Sequence, residues 1–180
     1  NATSAKTISP AITDNGDTTI QVINNNNDTI SLITFSGSVA ADTITVGSSA
    51  KAGSALFNGA VSGTNISIIG GDGTSSAENS QATFANTVTV TAISLDNNTS
   101  TATVTFSGAT KTIIGTINGA AAGEGTIIVS GTPTFTGIIG GTQRPAQLTI
   151  NGATTFQAAV STTLLTTTAA ISNGTTLNVS

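Results

Sequence analysis

The six phenylalanines of this chain recur at a near-constant interval, and that periodicity limits the fold more than any other feature. They stand at 35, 57, 84, 106, 135 and 156, separated by 22, 27, 22, 29 and 21 residues. Each opens a similar phrase: Phe35-Ser-Gly-Ser-Val39, Phe57-Asn-Gly-Ala-Val61, Phe84-Ala-Asn-Thr-Val88, Phe106-Ser-Gly-Ala-Thr110, Phe135-Thr-Gly-Ile-Ile139 and Phe156-Gln-Ala-Ala-Val160. Self-similarity at a period of a few tens of residues marks a fold built by stacking one supersecondary unit on the next. In the first three repeats a second piece starts nine residues after the Phe: Ile44-Thr-Val46, Ile66-Ser-Ile68 and Ile93-Ser-Leu95. Their alternation of apolar and polar residues is the period of a half-buried strand. Later pieces, Thr126-Ile-Ile-Val129, Leu148-Thr-Ile150 and Leu177-Asn-Val179, keep the pattern at shifted spacing.

A coil of this length, with two or three short strands turned by Gly, Asn and Ser, predicts an all-β fold: a parallel β-helix, or β-solenoid, of roughly eight coils. At a rise of about 4.8 Å per coil the rod is on the order of 40 Å long. Equivalent Phe side chains are expected to stack inside it as an offset aromatic ladder. The two longer intervals place insertions at Gly70–Glu78 and Gly119–Gly125, expected to protrude as loops. Residues 35–180 then form the repeat solenoid. Residues 1–34 lack the phrase and are an N-terminal cap, an irregular first coil or a donated strand segment, with strand-like Thr19-Ile-Gln-Val22 and Thr29-Ile-Ser-Leu32 around a polar turn. A β-sandwich is the alternative, since short strands recur there too. A sandwich has no reason to repeat one local phrase.

Composition supports strands and excludes several functions. Hydrophobic residues make up 37% and the net charge is only −4, which argues against disorder. Abundant Thr, Val and Ile favour the pleated surface over the helix. The four basic residues, Lys6, Lys51, Lys111 and Arg144, lie far apart, so no stripe exists to follow a phosphate backbone, and nucleic acid is not expected as a partner. No apolar run reaches the roughly 18 residues of a transmembrane helix. A chain opening at Asn1 without a basic-plus-apolar leader reads as processed, and the lack of Cys is compatible with secretion.

Without His or Cys, the Ser-His-Asp and Cys-His arrangements and the usual zinc sites cannot form. No catalytic, cofactor-binding or metal residue is assigned, and the chain reads as non-enzymatic. The eight acids, Asp14, Asp17, Asp28, Asp42, Asp72, Glu78, Asp96 and Glu124, fall mostly in turn-forming company. Glycan cleavage by paired carboxylates, with Asp72 and Glu78 as the foremost pair, is the enzyme alternative. Glycan binding goes with it, although Tyr and Trp are absent. Calcium is the one cofactor candidate, at Asp14-Asn-Gly-Asp17 or at Gly70-Gly-Asp-Gly73 with Glu78, but neither matches a known calcium loop. Sequons at Asn1, Asn27, Asn65, Asn97, Asn98, Asn173 and Asn178 mark candidate glycosylation acceptors.

The phrase Thr/Leu-Phe-x-Gly-x-Val followed by Thr-Ile-x-Val, over residues 30–180, resembles the degenerate repeats of bacterial autotransporter passenger domains, and in style the rickettsial outer-membrane surface antigens. The resemblance implies a right-handed β-helix on a cell surface, with adhesion or shielding as its role. The chain departs from that family in its shortness and in lacking a C-terminal membrane barrel. Its strand pattern runs to Thr175-Thr-Leu-Asn-Val-Ser180, and an open solenoid face invites strand pairing. The chain is therefore a piece of a longer rod, a filament subunit, or one whose last coil a neighbour completes, with residues 17–34 or the C-terminal strand as the pairing segment. The expectation is a secreted, cell-surface structural protein, a self-assembling filament subunit or adhesin stalk. Its partners are copies of itself and a host or neighbouring cell surface.

Overall fold

Parallel strand ladders carry the whole molecule. The computed structural model describes residues 5–24, 31–73, 78–173 and 177–179; the side chains of Asn173, Leu177 and Asn178 lie outside the described part. Every pairing between the named strands is parallel, and the described residues contain no helix. The first sheet stacks Lys6–Ile8, Ile33–Phe35, Ser54–Phe57, Ser80–Phe84, Ala102–Phe106, Thr126–Val129, Gln147–Ile150 and Leu164–Thr167 in that order. The second stacks Thr19–Val22, Thr43–Gly47, Asn65–Ile69, Val88–Asp96, Ala109–Gly119, Thr132–Phe135, Thr154–Phe156 and Ile171–Asn173. Short strands Val39–Ala40 and Val61–Ser62 join the second sheet, and Val160–Thr162 pairs with Leu177–Val179. The chain thus visits the two sheets alternately, laying each strand beside the one from the previous circuit, which is a β-solenoid.

Residues 5–22 take part in both ladders: Ile8 is in register with Phe35, Ile12 bridges Val39, and Ile20 pairs with Ile44. Of the second strand-like piece expected here, Thr29 and Ile30 lie outside the described residues. Ser31 and Leu32 are not in a strand, which begins only at Ile33.

The interior consists of columns. One is a spine of Ile20, Ile44, Ile66, Ile93, Ile117 and Ile139, continued by Val160, each in register with the next. The three alternating pieces expected nine residues after Phe35, Phe57 and Phe84 supply Ile44, Ile66 and Ile93 of this spine. β-Branched side chains are restricted at χ1, which favours identical residues repeating the same shape from level to level.

The aromatic ladder departs from expectation. All six Phe are buried and each ring touches the next. Only Phe35, Phe57, Phe84 and Phe106 share a column, with centroids 4.8, 4.9 and 5.9 Å apart and stacked rings. Below Phe106 that column continues as Val129 and Ile150. Phe135 and Phe156 stand in the second sheet instead, below Val39, Val61, Val88 and Ile113. The crossover is a T-shaped contact, Phe106 to Phe135 at 5.1 Å and 88°.

The physical reason is conservation of volume. Taking the two columns together, successive coils hold Phe35 with Val39, Phe57 with Val61, Phe84 with Val88, Phe106 with Ile113, then Val129 with Phe135 and Ile150 with Phe156. Each of these six levels has one ring and one aliphatic side chain. Protein interiors are close-packed, so a second ring at one level would overfill it and none would leave a void. Where the ring crosses over, Ala109–Gly119 carries a register shift between Ala109 and Thr112, with Thr110 at φ 52°, an unusual conformation for a β-branched residue. That irregularity lengthens the corner after Phe106, so Ile113, not Thr110, occupies the slot under Val88.

The Gly two residues after the first-sheet column of Phe35 to Val129 has a separate cause. A Cβ on Gly131 would lie 2.1 Å from the Gly108 carbonyl oxygen, and one on Gly59 2.2 Å from that of Gly37. At these levels successive corners sit backbone on backbone at the ladder spacing, which leaves no room for a Cβ, whereas Asn86 in the corner between them bears a side chain that donates to the Asn58 carbonyl. Gly131→Ala should therefore cost roughly 1–3 kcal/mol, measured by urea unfolding. Gly141→Ala, which meets only the exposed side chain of Ile138, should be nearly silent. A thermodynamic cycle tests the volume rule: Val129→Phe and Phe135→Val should each destabilise. The double variant, which moves the ring back under Phe106, should recover at least about 1 kcal/mol of their sum; strict additivity would refute compensation between the columns.

Candidate functional site

Polar chemistry gathers at the corner leading from the second sheet back to the first. Lys51, Asp72, Glu78, Asp96, Glu124 and Arg144, half of the chain's charged side chains, lie in or beside its successive turns. Both insertions inferred from the long Phe intervals fall here. In the later one, the middle part Ala120–Gly123 is exposed as expected of a loop, while Gly119 and Gly125 are buried at its base. The earlier one protrudes less than expected: Asp72 and Gly73 are exposed, but Gly70 and Gly71 are buried and Glu78 is 3% exposed, tucked against Gly71. The expectation of a protruding segment fails at both its ends because those residues complete the corner's packing. Residues 74–77 lie outside the described part.

Asn97, Asn98 and Thr99 hold the corner together. The Oδ1 of Asn97 accepts the N–H of Ala102 at 3.0 Å and that of Gly125, one coil further on, at 3.1 Å. Asn98 adopts φ 46°, a left-handed conformation that Asn tolerates better than most residues. From there its Nδ2 donates to the carbonyls of Ser49 at 2.9 Å and Gly71 at 3.1 Å, with Gly70 more distant at 3.4 Å. The Thr99 hydroxyl donates to the Gly71 carbonyl at 2.8 Å. Beside them the buried Ser80 hydroxyl donates to the Ile69 carbonyl and accepts the N–H of Gly53 at 3.0 Å. Turn backbone cannot satisfy itself as a ladder does, and these side chains supply the missing partners. Among the described residues no buried side-chain polar atom is left without a partner.

The calcium candidates look different against this geometry. Asp14 accepts the N–H groups of Gly16 at 2.8 Å and Thr18 at 3.3 Å through one oxygen, closing an Asx-type turn. Hydrogen bonds from the Thr18 side chain, then the Gly16 N–H, hold its carboxyl below the usual range. Asp17 occupies the same turn at φ 58°. In the second candidate loop the carbonyls of Gly70 and Gly71 face the Asn98 and Thr99 donors. Among the described residues, no group of three or more acids is placed to hold a metal ion.

The sequons divide in the same way. Asn97 and the exposed Asn98 are hydrogen-bonded into the corner, whereas Asn65 is exposed on the second sheet. Asn1 and Asn27 lie outside the described residues, as do the side chains of Asn173 and Asn178. Reading Asp96-Asn-Asn-Thr-Ser100 as sequons overlooked its structural part; the available signal was its composition, a run of turn formers directly after a nine-residue strand. Asn98→Ala should cost about 1–3 kcal/mol, because it leaves the Ser49 carbonyl without this donor, leaves Gly71 with Thr99 alone, and places Ala at a left-handed φ. Asn65→Ala should stay within about 0.5 kcal/mol of the parent, both read by chemical denaturation.

Comparison with known proteins adds no relative: no protein-family model, curated protein or solved structure matches the chain.

Proposed function

We propose that this chain is a non-enzymatic structural element of a cell surface or extracellular space, a solenoid rod that serves as a filament subunit or an adhesin stalk. The observation that carries the reading is where the side chains go. The interior is filled by apolar columns from Phe35 and Val39 to Phe156 and Val160. The outward column of the first sheet reads Thr7, Thr34, Leu56, Thr83, Thr105, Ile128, Thr149 and Thr166, without a charge. Polar groups at the corners are spent on backbone hydrogen bonds. What such a chain offers is length and a regular wall, in keeping with the resemblance to surface-exposed passenger repeats.

Its partner in this reading is another copy. The outermost strands leave inward-pointing apolar side chains uncovered: Ile8 is 37% exposed at one end of the stack and Val179 49% at the other. Head-to-tail stacking would set Leu177–Val179 of one copy beside Thr19–Val22 of the next, continuing the column of Ile20 to Val160, and Leu164–Thr167 beside Lys6–Ile8, where Leu165 would meet Lys6 and Thr167 would meet Ile8. A heterologous contact of that kind does not close, so it propagates as a filament. Attachment to a host or neighbouring cell would use the walls of the rod.

Negative-stain electron microscopy with light scattering across a concentration series tests this. The expected result is rods longer than the roughly 40 Å of one stack, lost in the Ile8→Lys, Val179→Lys variant while the circular dichroism of the strands persists. A chain that remains monomeric at millimolar concentration would remove the self-assembly part and leave the stalk.

A further inference from the structure

We infer that Asn65 is an N-glycosylation acceptor in the folded protein and that Asn97 and Asn98 are not, although all three carry the same sequon. The inference goes beyond the structural role proposed above and does not depend on self-stacking. Modification needs two groups free: the carboxamide nitrogen that receives the sugar, and the hydroxyl two residues on that the transferase recognises.

At Asn65-Ile66-Ser67 both are available. Asn65 is exposed on the outward face of its strand, while Ile66 points into the core and holds that strand in place. The residues in register on either side of Asn65 are Thr43 and Ala92, and those beside Ser67 are Thr45 and Ser94. All four are small, so the acceptor stands clear of its neighbours, and its side chain makes no hydrogen bond among the described residues. No charged side chain occupies these flanking positions.

At each of the other two sites the carboxamide is committed to the corner, and at Asn97 the recognition hydroxyl is as well. The Asn98 nitrogen is donated to carbonyls from two other turns, and Asn97 cannot turn its carboxamide without releasing the N–H groups of Ala102 and Gly125. Thr99, the recognition hydroxyl for Asn97, is bonded to the Gly71 carbonyl. In the reaction the Asn65 Nδ2 attacks the anomeric carbon of a nucleotide sugar. The nitrogen–carbon bond forms, the bond from that carbon to the diphosphate oxygen breaks, the nucleoside diphosphate leaves, and the nitrogen gives up one proton.

The test incubates the folded 180-residue chain with a soluble N-glycosyltransferase and UDP-glucose, and reads occupancy peptide by peptide by mass spectrometry. Hexose is expected on Asn65, with Asn97 and Asn98 several-fold less occupied, and heat-unfolding before the reaction should bring the three sites level. Asn65→Gln should remove hexose from that peptide alone. An Asn65 that stays empty in the folded chain overturns the inference, as does occupancy of Asn97 or Asn98 in the folded chain equal to that of Asn65.

Discussion

Every coil of this molecule must present the same cross-section to the next, because parallel ladders hold successive circuits at one fixed spacing. The other regularities follow from that constraint. A coil that bulged would pull its strands out of hydrogen-bonding reach of both neighbours, so the interior volume at each level is held nearly constant. The exchange of Phe106 with Ile113 for Val129 with Phe135 shows what is conserved from Phe35 to Phe156: one ring per level, on either side. The contact between the columns survives the exchange because an edge-to-face pair is as acceptable as an offset stack.

At the corners the same spacing acts on the backbone. Gly37, Gly59, Gly108 and Gly131 belong to turns that stack so closely that a Cβ on the later three would run into the turn before. The opposite corner solves its problem differently. There the turns vary in length, cannot repeat one backbone path, and are tied across coils by Asn97, Asn98, Thr99 and Ser80. Glycine predominates where the path repeats, with Asn86 the exception, and cross-coil side-chain hydrogen bonds where it does not.

This difference explains what was legible beforehand. The strands and the parallel coil could be read because the phrase and the isoleucine nine residues later repeat in the linear sequence wherever the corner between them keeps its length. The split of the aromatic ladder could not. Phe-x-Gly-x-Val/Ile describes an inward side chain at a strand end, a tight corner and the next inward side chain, and it says nothing of which corner it turns. Phe35 and Phe57 use it to pass between the sheets, whereas Phe135 uses it within the second sheet to reach Ile139. The Asn corner was hidden for another reason: its bonds join Asn98 to Ser49 across 49 residues, and no local pattern records a contact of that range.

A fold under this constraint tolerates drift in an unusual way. Substitutions that exchange volume between two columns at one level are compatible with the stack, whereas the same substitutions spread over different levels are not. Local resemblance between repeats can therefore decay while the architecture stays, since what the neighbours test is the size of a coil and the closeness of its turns, not the identity of any one residue. The degenerate quality of the repeats is then an expected property of the solenoid. It also accounts for the scarcity of charge along the strands. In a parallel, in-register stack, identical positions lie one above another, so a charge that recurred with the repeat would face its own copy one strand spacing away, where like charges destabilise the pair. Uncharged Thr fits that position, with its methyl and hydroxyl both content at the wall of the rod.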